Sequence, residues 1–539
     1  MRTKNWIYAV ICFIFMYGCY DDKGNYDYGD INVITVEKYL TNADPRFYKG
    51  DMAEITPVLK FSLDEEITTL KFRWELRTSE KEYKTLGHEK VLNWEVDTAG
   101  WLQFVLTITD TTNGLQCVDL TRQYVMDNLA YPSGVWLVLD EKDNGAELAM
   151  LDLDRRLDEA TQEYVTYLDV YADLYTLEND GQRLGGKPYF LQEVFADWDS
   201  PSHVLILQEG GIGPVYVDGS SYKKTIFLGE EFTGGALPAG QVFVGAAYHH
   251  KGDILMSKTG DIFVRRKTDE EVFYSGMYPD FPAYYEKGLE VTLMCKTRSG
   301  ISTLVYDNKN HRFLAVNDGN VYYDDEIGEW VTDPNTAAIL PVFPERMEGV
   351  TPLNNMGNVE MYFCDGYTDG DRKFWCVFKN REDGVYYMQF FYYDEWNGYK
   401  VIPQYELPFP HQDLLDGTNK FELTTDSREF LFFTSNGTSV AGAPHDKLYA
   451  YQHARGRGDA KLLYDFQGRG IVSMLASQRN NAGGYLVVGL DSGEVYFFAA
   501  GTTSIFAGGT IEYAYKTEPV FGRIADIKYR FGGQGSIVD

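Results

Sequence analysis

The side chains in this sequence best suited to chemistry are aromatic, acidic and thiol-bearing. Trp198 in Ala196–Pro201 and Trp396 in Asp394–Gly398 stand singly in polar turns, while Tyr284 and Tyr285 lie in Met277–Lys287, a stretch broken by two prolines. Rings placed in this way offer flat apolar faces with polar tips, suited to stacking on sugar rings or peptide side chains. Packing as lids over sheet edges is the structural alternative, and for any single ring it is the stronger expectation. Cys364 and Cys376 flank a polar loop between two strand-like runs. They read either as a hairpin disulfide formed in an oxidising compartment or as two buried thiols on neighbouring strands.

Catalytic constellations are missing. No His-Glu-x-x-His, Gly-x-Ser-x-Gly or Gly-x-x-x-x-Gly-Lys-Ser/Thr occurs, so the usual sequence warrants for metallopeptidase, serine-hydrolase and nucleotide chemistry are absent. Of eight histidines only His249 and His250 adjoin, and neighbours on a strand point to opposite faces, which is poor geometry for one metal ion. The acidic stretches Asp140–Gly145 and Asp365–Asp371 are the closest approach to calcium loops, because Ca²⁺ takes closely spaced oxygen ligands. Lys142 occupies a ligand position in the first, and the second has the wrong spacing for an EF-type loop. Solvated turns explain both better, so the expectation is no cofactor, with Ca²⁺ as the alternative. A glycosidase carboxylate pair needs proximity only in space, and nothing among 80 acidic residues singles one out. The reading is therefore of a non-enzyme, with a surface glycoside hydrolase or lyase as its rival.

One cysteine has a different chemistry in view. Arg2 and Lys4 precede an uncharged run from Trp6 to Phe15, and Gly18 stands immediately before Cys19. The run is shorter than the roughly 20 apolar residues that span a bilayer, and Asp21 and Asp22 end it. A charged start, a short apolar core and a small residue at the cut describe a signal peptide over residues 1–18. With cysteine next in line, it resembles a bacterial lipoprotein signal, which implies acylation of the Cys19 sulfur and a membrane attachment through lipid. Tyr17 is bulkier than the small residue usual in that motif. Residues 19–30 are polar and aperiodic, and read as a flexible tether.

The elements that would position these groups are strands. The chain has 539 residues, a formal charge of −31, and 15% aromatic content including 41 Tyr. Such acidity repels phosphate backbones and removes nucleic acid as a partner, and the aromatic excess suits pleated, half-buried surfaces. Residues 31–128 hold about six β-type runs separated by polar turns, which fits an immunoglobulin-like sandwich, with Trp74 as a core aromatic. From residue 131 to 539 one phrase recurs: a turn with Gly, Asp or Asn, then a branched aliphatic, then usually an aromatic. Its aliphatic positions are Leu148, Val215, Ile262, Val321, Val385, Leu448 and Val495, each preceded by another apolar run. Seven units of about four strands each read as a β-propeller of seven blades, with six or eight as alternatives. Ile524–Phe531 has no phrase of its own and is expected to pair with the first strands and close the ring. The fold class is all-β.

Phe72-Arg-Trp74 and Val105-Leu-Thr-Ile-Thr-Asp110, together with Asp21-Asp-Lys-Gly-Asn-Tyr26 after the cysteine, resemble the PKD-like family of lipoproteins from Bacteroidetes. The Asp-Phe-Gly-Asp-Gly signature of some PKD domains is replaced after Trp74 by Glu75-Leu-Arg-Thr-Ser. The resemblance implies an outer-membrane lipoprotein facing the cell exterior, an accessory of nutrient uptake beside a SusC-like transporter and a SusD-like lipoprotein. Its implied ligand is an oligopeptide or a glycan.

Overall fold

The computed structural model describes residues 32–42, 47–48, 50–63, 65–77, 83–97, 100–126, 131–132, 134–157, 163–194, 202–249, 252–267, 276–295, 302–317, 321–324, 329–332, 338–366, 373–394, 398–423, 430–452, 460–476, 484–499 and 510–531. The chain divides into two compact units at Asn128/Leu129.

In the first unit, one sheet orders Ile34–Thr41, Met52–Phe61 and Leu92–Glu95, and the other orders Phe47–Tyr48, Gln116–Met126, Gly100–Asp110, Leu70–Arg77 and Tyr83–Gly87. Alternation decides what is buried. Leu102, Phe104, Leu106 and Ile108 face inward from one strand and meet Ile55, Leu92 and Trp74, as period-2 geometry requires. Trp74 is fully buried, and its indole N–H donates to the Glu89 carbonyl at 3.0 Å. This is a β-sandwich with the tryptophan at its centre.

The second unit is a β-propeller. Among the described residues seven sheets of three to five strands follow one another, and in each the first strand in sequence is the innermost, except in the first sheet and in the fifth, where Phe343–Pro344 comes first and pairs at the opposite edge from Val359–Gly366. The innermost strands are Lys187–Val194, Phe243–Tyr248, Val291–Cys295, Val359–Gly366, Phe421–Leu423, Ile471–Ala476 and, for the first sheet, Arg523–Arg530. That last strand pairs antiparallel with Val135–Lys142, with Ile527 opposite Val138, so the two ends of the unit close one sheet.

Near-continuous apolar runs are what such packing demands, since each sheet is covered on both faces. In Phe430–Ser435, Phe432 joins the cluster shared with the seventh sheet, whereas Leu431 and Phe433 join the cluster shared with the fifth. Seven buried clusters repeat this arrangement between successive sheets, and the one that contains Val487, Phe497, Trp136 and Val138 joins the seventh to the first.

The recurring phrase marks the third strand of its sheet at Leu148, Val215, Ile262, Val385–Tyr386, Leu448 and Val495. It fails once. Val321 lies in a separate hairpin, Val321–Asp324 paired with Glu329–Thr332, and the third strand of the fourth sheet is Arg312–Asn317. The turn before that strand is Asn308-Lys309-Asn310-His311, where His311 takes φ 49°. A non-glycine residue carries the left-handed conformation there, so the glycine in the phrase pointed too far along the chain.

Candidate functional site

The third sheet has three strands, and Met277–Lys287 runs where a fourth would lie. Ala283 N–H donates to the Ile262 carbonyl at 2.7 Å, and Tyr278 is fully buried, stacked on Phe232 at 5.2 Å. Anchoring at these points leaves Phe281 and Tyr284 outward, 69% and 77% exposed. Tyr285 is half-buried beneath the Arg312 guanidinium, 5.0 Å from its ring centroid, and burial raises its phenol pKa. Tyr284 is thus available for stacking, while Tyr285 is held in the fold. Trp198, Trp396 and the acylation candidate Cys19 lie outside the described residues.

Cys364 and Cys376 oppose each other in register on Val359–Gly366 and Lys373–Asn380. Both are buried and both are free thiols, which replaces the hairpin disulfide with the two-thiol arrangement. Cys364 also neighbours Cys295 of the fourth sheet, and burial pushes all three thiol pKa values up. In the acidic stretch Asp140–Gly145, Lys142 Nζ bonds both Asp173 oxygens, at 2.8 and 2.9 Å, and puts a cation where a calcium ion would need room. Of Asp365–Asp371, only Asp365 and Gly366 are described. Among the described residues no group of three His, Cys, Asp or Glu could hold a metal ion. His249 is buried and shares a 2.8 Å hydrogen bond with Thr303, and His250 is outside the described residues.

Two constellations escaped sequence reasoning. One is a buried ionic knot in the third sheet. Arg265 donates through Nε to Asp253 at 2.7 Å and through Nη1 to Glu231 at 2.9 Å. Lys267 Nζ stands 3.1 Å from Asp253, and the four side chains are at most 1% exposed. Two cations balance two anions out of reach of solvent, so the knot fixes packing rather than meeting a ligand. The register Asp253 opposite Arg265 was readable once the hairpin Gly252–Arg266 was assigned.

The other is a pair of cations at the starts of two inner strands. Lys420 immediately precedes Phe421–Leu423, and Arg523 opens Arg523–Arg530. These strands belong to the sixth and first sheets, with the seventh between them. Both cations are exposed; the Lys420 pKa is lowered by partial desolvation, with a smaller contribution from the Arg523 charge and Asp526 opposing.

Each cation is set by a bonded turn. Lys420 N–H donates to Thr434 Oγ1 at 2.9 Å, which leaves the hydroxyl proton for His445 Nδ1 at 3.0 Å and makes Nε2–H the donor to Asp416 at 2.9 Å. Asn419 ties the same turn to the Leu414 and Thr434 carbonyls. The Asp-His-Thr series has the residue types of a catalytic relay, but Thr434 is fully buried and already accepts from Lys420, so it works as a brace. On the other side, Gly522 N–H donates to Asp140 at 3.0 Å, and a Cβ at Gly522 would sit 1.9 Å from the Glu141 carbonyl oxygen. Only glycine lets the backbone pass there.

Three carboxylates of the inner strands bond backbone amides of the next sheet. Asp526 accepts from Leu191 N–H at 2.9 Å, Glu422 from Ala476 N–H at 3.0 Å and Glu193 from Phe531 N–H at 2.8 Å, each tying one sheet to its neighbour.

A model of the PKD-like family matches residues 19–188. The match takes in the sandwich and continues through the three N-terminal strands of the first propeller sheet. No curated protein matches the chain. Among solved structures it is similar to a quinonprotein alcohol dehydrogenase-like protein from Bacteroides thetaiotaomicron, at 10% identity over 93% of this chain and 100% of that one, with a TM-score of 0.38. It is similar also to a putative 6-phosphogluconolactonase from Bacteroides uniformis, at 9% identity over 74% and 99%, TM-score 0.38. A third is the cobalt-substituted apocarotenoid oxygenase of Synechocystis, at 10% identity over 94% and 97%, TM-score 0.34. The family match and the sheets described above give an N-terminal PKD-like β-sandwich followed by a β-propeller.

Proposed function

We propose that this chain is an outer-membrane lipoprotein, anchored through Cys19 and facing the cell exterior, that serves as a non-catalytic accessory subunit of a SusC/SusD-type importer. It holds an oligomeric nutrient, peptide or glycan, beside the transporter. The observation that carries this reading is the PKD-like match, which begins at Cys19 itself, directly after the signal-like segment. A binding role rather than hydrolysis is supported by the inner-strand carboxylates Asp526, Glu422 and Glu193, each occupied by a backbone amide. A hydrolase needs two carboxyl groups free to meet one glycosidic bond. Exposed Tyr284 and Phe281 give an outward stacking surface.

Affinity isolation of the native chain from gently solubilised outer membranes tests the reading. Co-purification of a SusC-like transporter and a SusD-like lipoprotein in constant ratio is the expected result. Recovery of the chain alone overturns the accessory role, and hydrolysis of glycans or peptides by the isolated chain replaces it with the enzymatic one.

A further inference from the structure

We propose that a cavity at the outer edge of the fifth propeller sheet binds a short peptide that carries both a positive and a negative charge. The cavity measures about 590 Å³, and ligand pockets typically hold about 300–1,000 Å³. It exists because a strand pairing stops. Phe343–Pro344 runs parallel to Lys400–Pro408, and Glu345 N–H donates to the Val401 carbonyl at 2.8 Å. The next bond of that ladder needs an N–H from Pro403, which has none. Beyond Glu345 the chain leaves the edge, and Pro344, Pro352 and Pro403 line the space that opens. The departing segment is then fastened again. Thr351 donates to Glu406 through N–H and Oγ1 at 2.8 and 3.0 Å, and its carbonyl accepts from the buried Gln389 amide at 2.8 Å. Leu353 and Met356 are buried and bond the backbone of Phe313 and His311 at 2.7 and 2.8 Å.

On these pinned walls the polar groups stand unengaged. Asn354 and Asn355 are exposed between the buried anchors Leu353 and Met356, and Arg346 and Glu348 flank exposed Met347. All four polar residues line the cavity, and among the described residues none of their side chains makes a hydrogen bond or an ion pair. Glu345 lines it too, but its carboxylate is paired with Lys400. A carboxamide offers a donor and an acceptor side by side, the complement of a peptide group. Arg346 suits a carboxylate and Glu348 an ammonium group. Together they fit a ligand of both charges, whereas a lone anion would meet Glu348 and a lone cation Arg346. Met347, unbranched and polarisable, adapts to more than one apolar side chain. No aromatic residue is among those that line the described cavity, so the flat platform on which a sugar ring stacks is missing there. That contrast favours peptide over glycan. Proline fixes φ, so these walls lose little freedom when a ligand enters.

The assignment rests on the nutrient-holding reading, of which it names the substrate class. The test is calorimetric titration of the full detergent-solubilised chain with the zwitterionic tripeptide Ala-Leu-Ala, with the same tripeptide acetylated and amidated at its ends, and with neutral maltotriose. Saturable binding of the free tripeptide is expected, about tenfold or more weaker for the capped form and absent for maltotriose. Arg346→Met, and Asn354→Ala combined with Asn355→Ala, should each weaken tripeptide binding by about tenfold or more, and Arg346→Lys by less. Added salt should weaken it as well. Without ligand these variants should melt with the native chain, because the side chains removed are exposed and unengaged. Failure of the tripeptide to bind, equal binding of the capped form, binding of maltotriose in its place, or binding that survives the substitutions overturns the assignment. A clearly lower melting temperature for Arg346→Met does so too, since it would show the guanidinium at work in the fold. Co-purifying partners without peptide binding would sink this site alone, and peptide binding without partners would sink only the importer role.

Discussion

Replacing Arg265 by Met should destabilise the propeller strongly, and more so at high pH than at low. The guanidinium makes two charge-assisted hydrogen bonds, to Asp253 and Glu231, and its carbon lies 4.7 Å from the Tyr278 ring centroid, all without solvent contact. Each such bond is worth about 1.5–3 kcal/mol, and removing one partner of a buried pair typically costs about 3–5 kcal/mol. Methionine recovers some packing of the stem, so a loss of about 4 kcal/mol is expected, roughly a thousandfold in the folding equilibrium. Lys267 remains beside Asp253, so the uncompensated charge falls on Glu231. Burial already raises the Glu231 pKa, with Arg265 holding it down. Without Arg265 it rises further, and a carboxyl whose folded pKa lies above its unfolded value favours the folded state below the unfolded pKa and loses that contribution as pH rises through the folded one. The destabilisation is therefore smaller near pH 4 than near pH 8. Urea denaturation of the full chain, with hydrogen exchange followed on the strands of residues 243–266, measures it. Adding Glu231→Gln to Arg265→Met should restore about 1–2 kcal/mol at pH 8, because it removes the orphaned charge. A single variant within about 1 kcal/mol of native, or a double variant no better than the single one, would refute the reasoning.

Asp140 is buried with its pKa raised to about 6, chiefly by desolvation. Its contribution is full below the unfolded carboxylate range and is lost as pH rises through about 6, so Asp140→Asn, which keeps the acceptor for Gly522, should stabilise the chain by about 1–3 kcal/mol above that pH and change little in acid. Calorimetric melting at several pH values reads this directly. Gly522→Ala places a Cβ against the Glu141 carbonyl and should abolish cooperative melting of the propeller or lower its midpoint severely. Cys295, Cys364 and Cys376 should resist a thiol reagent in the native chain and react fully in denaturant, since burial keeps them covered and protonated; rapid native labelling counts against this packing. Cys19→Ala should release the chain from membranes, and continued retention without a lipid label would falsify the proposed anchor.

How far the sequence could be read depended on where glycine sits. The turns before Val215, Ile262, Val385 and Val495 contain Gly213, Gly260, Gly384 and Gly493, all at positive φ, so the local pattern announces the strand. Where His311 takes that conformation the pattern is silent, and the reading slipped to Val321. Alternation placed Trp74 in the core because one strand carries the whole signal. The ionic knot gave no such signal, because Glu231, Asp253, Arg265 and Lys267 meet only once the strands are paired. Aromatic content, by contrast, overstated the ligand surface. Tyr216, Tyr222, Tyr278 and Tyr306 are fully buried and serve packing, so part of the tyrosine content belongs to the core.

The closing strand also sets a timetable. Gly522 and Asp140 bond across 382 positions of chain, so the first sheet lacks its innermost member until nearly the whole polypeptide is present. Contacts this distant form late, whereas the sandwich, encoded within the first 128 residues, has everything it needs early. Without Arg523–Arg530 the inner edge of Val135–Lys142 is left unpaired. Such edges recruit other strands. A chain cut before Arg523 would therefore invite strand exchange at that edge.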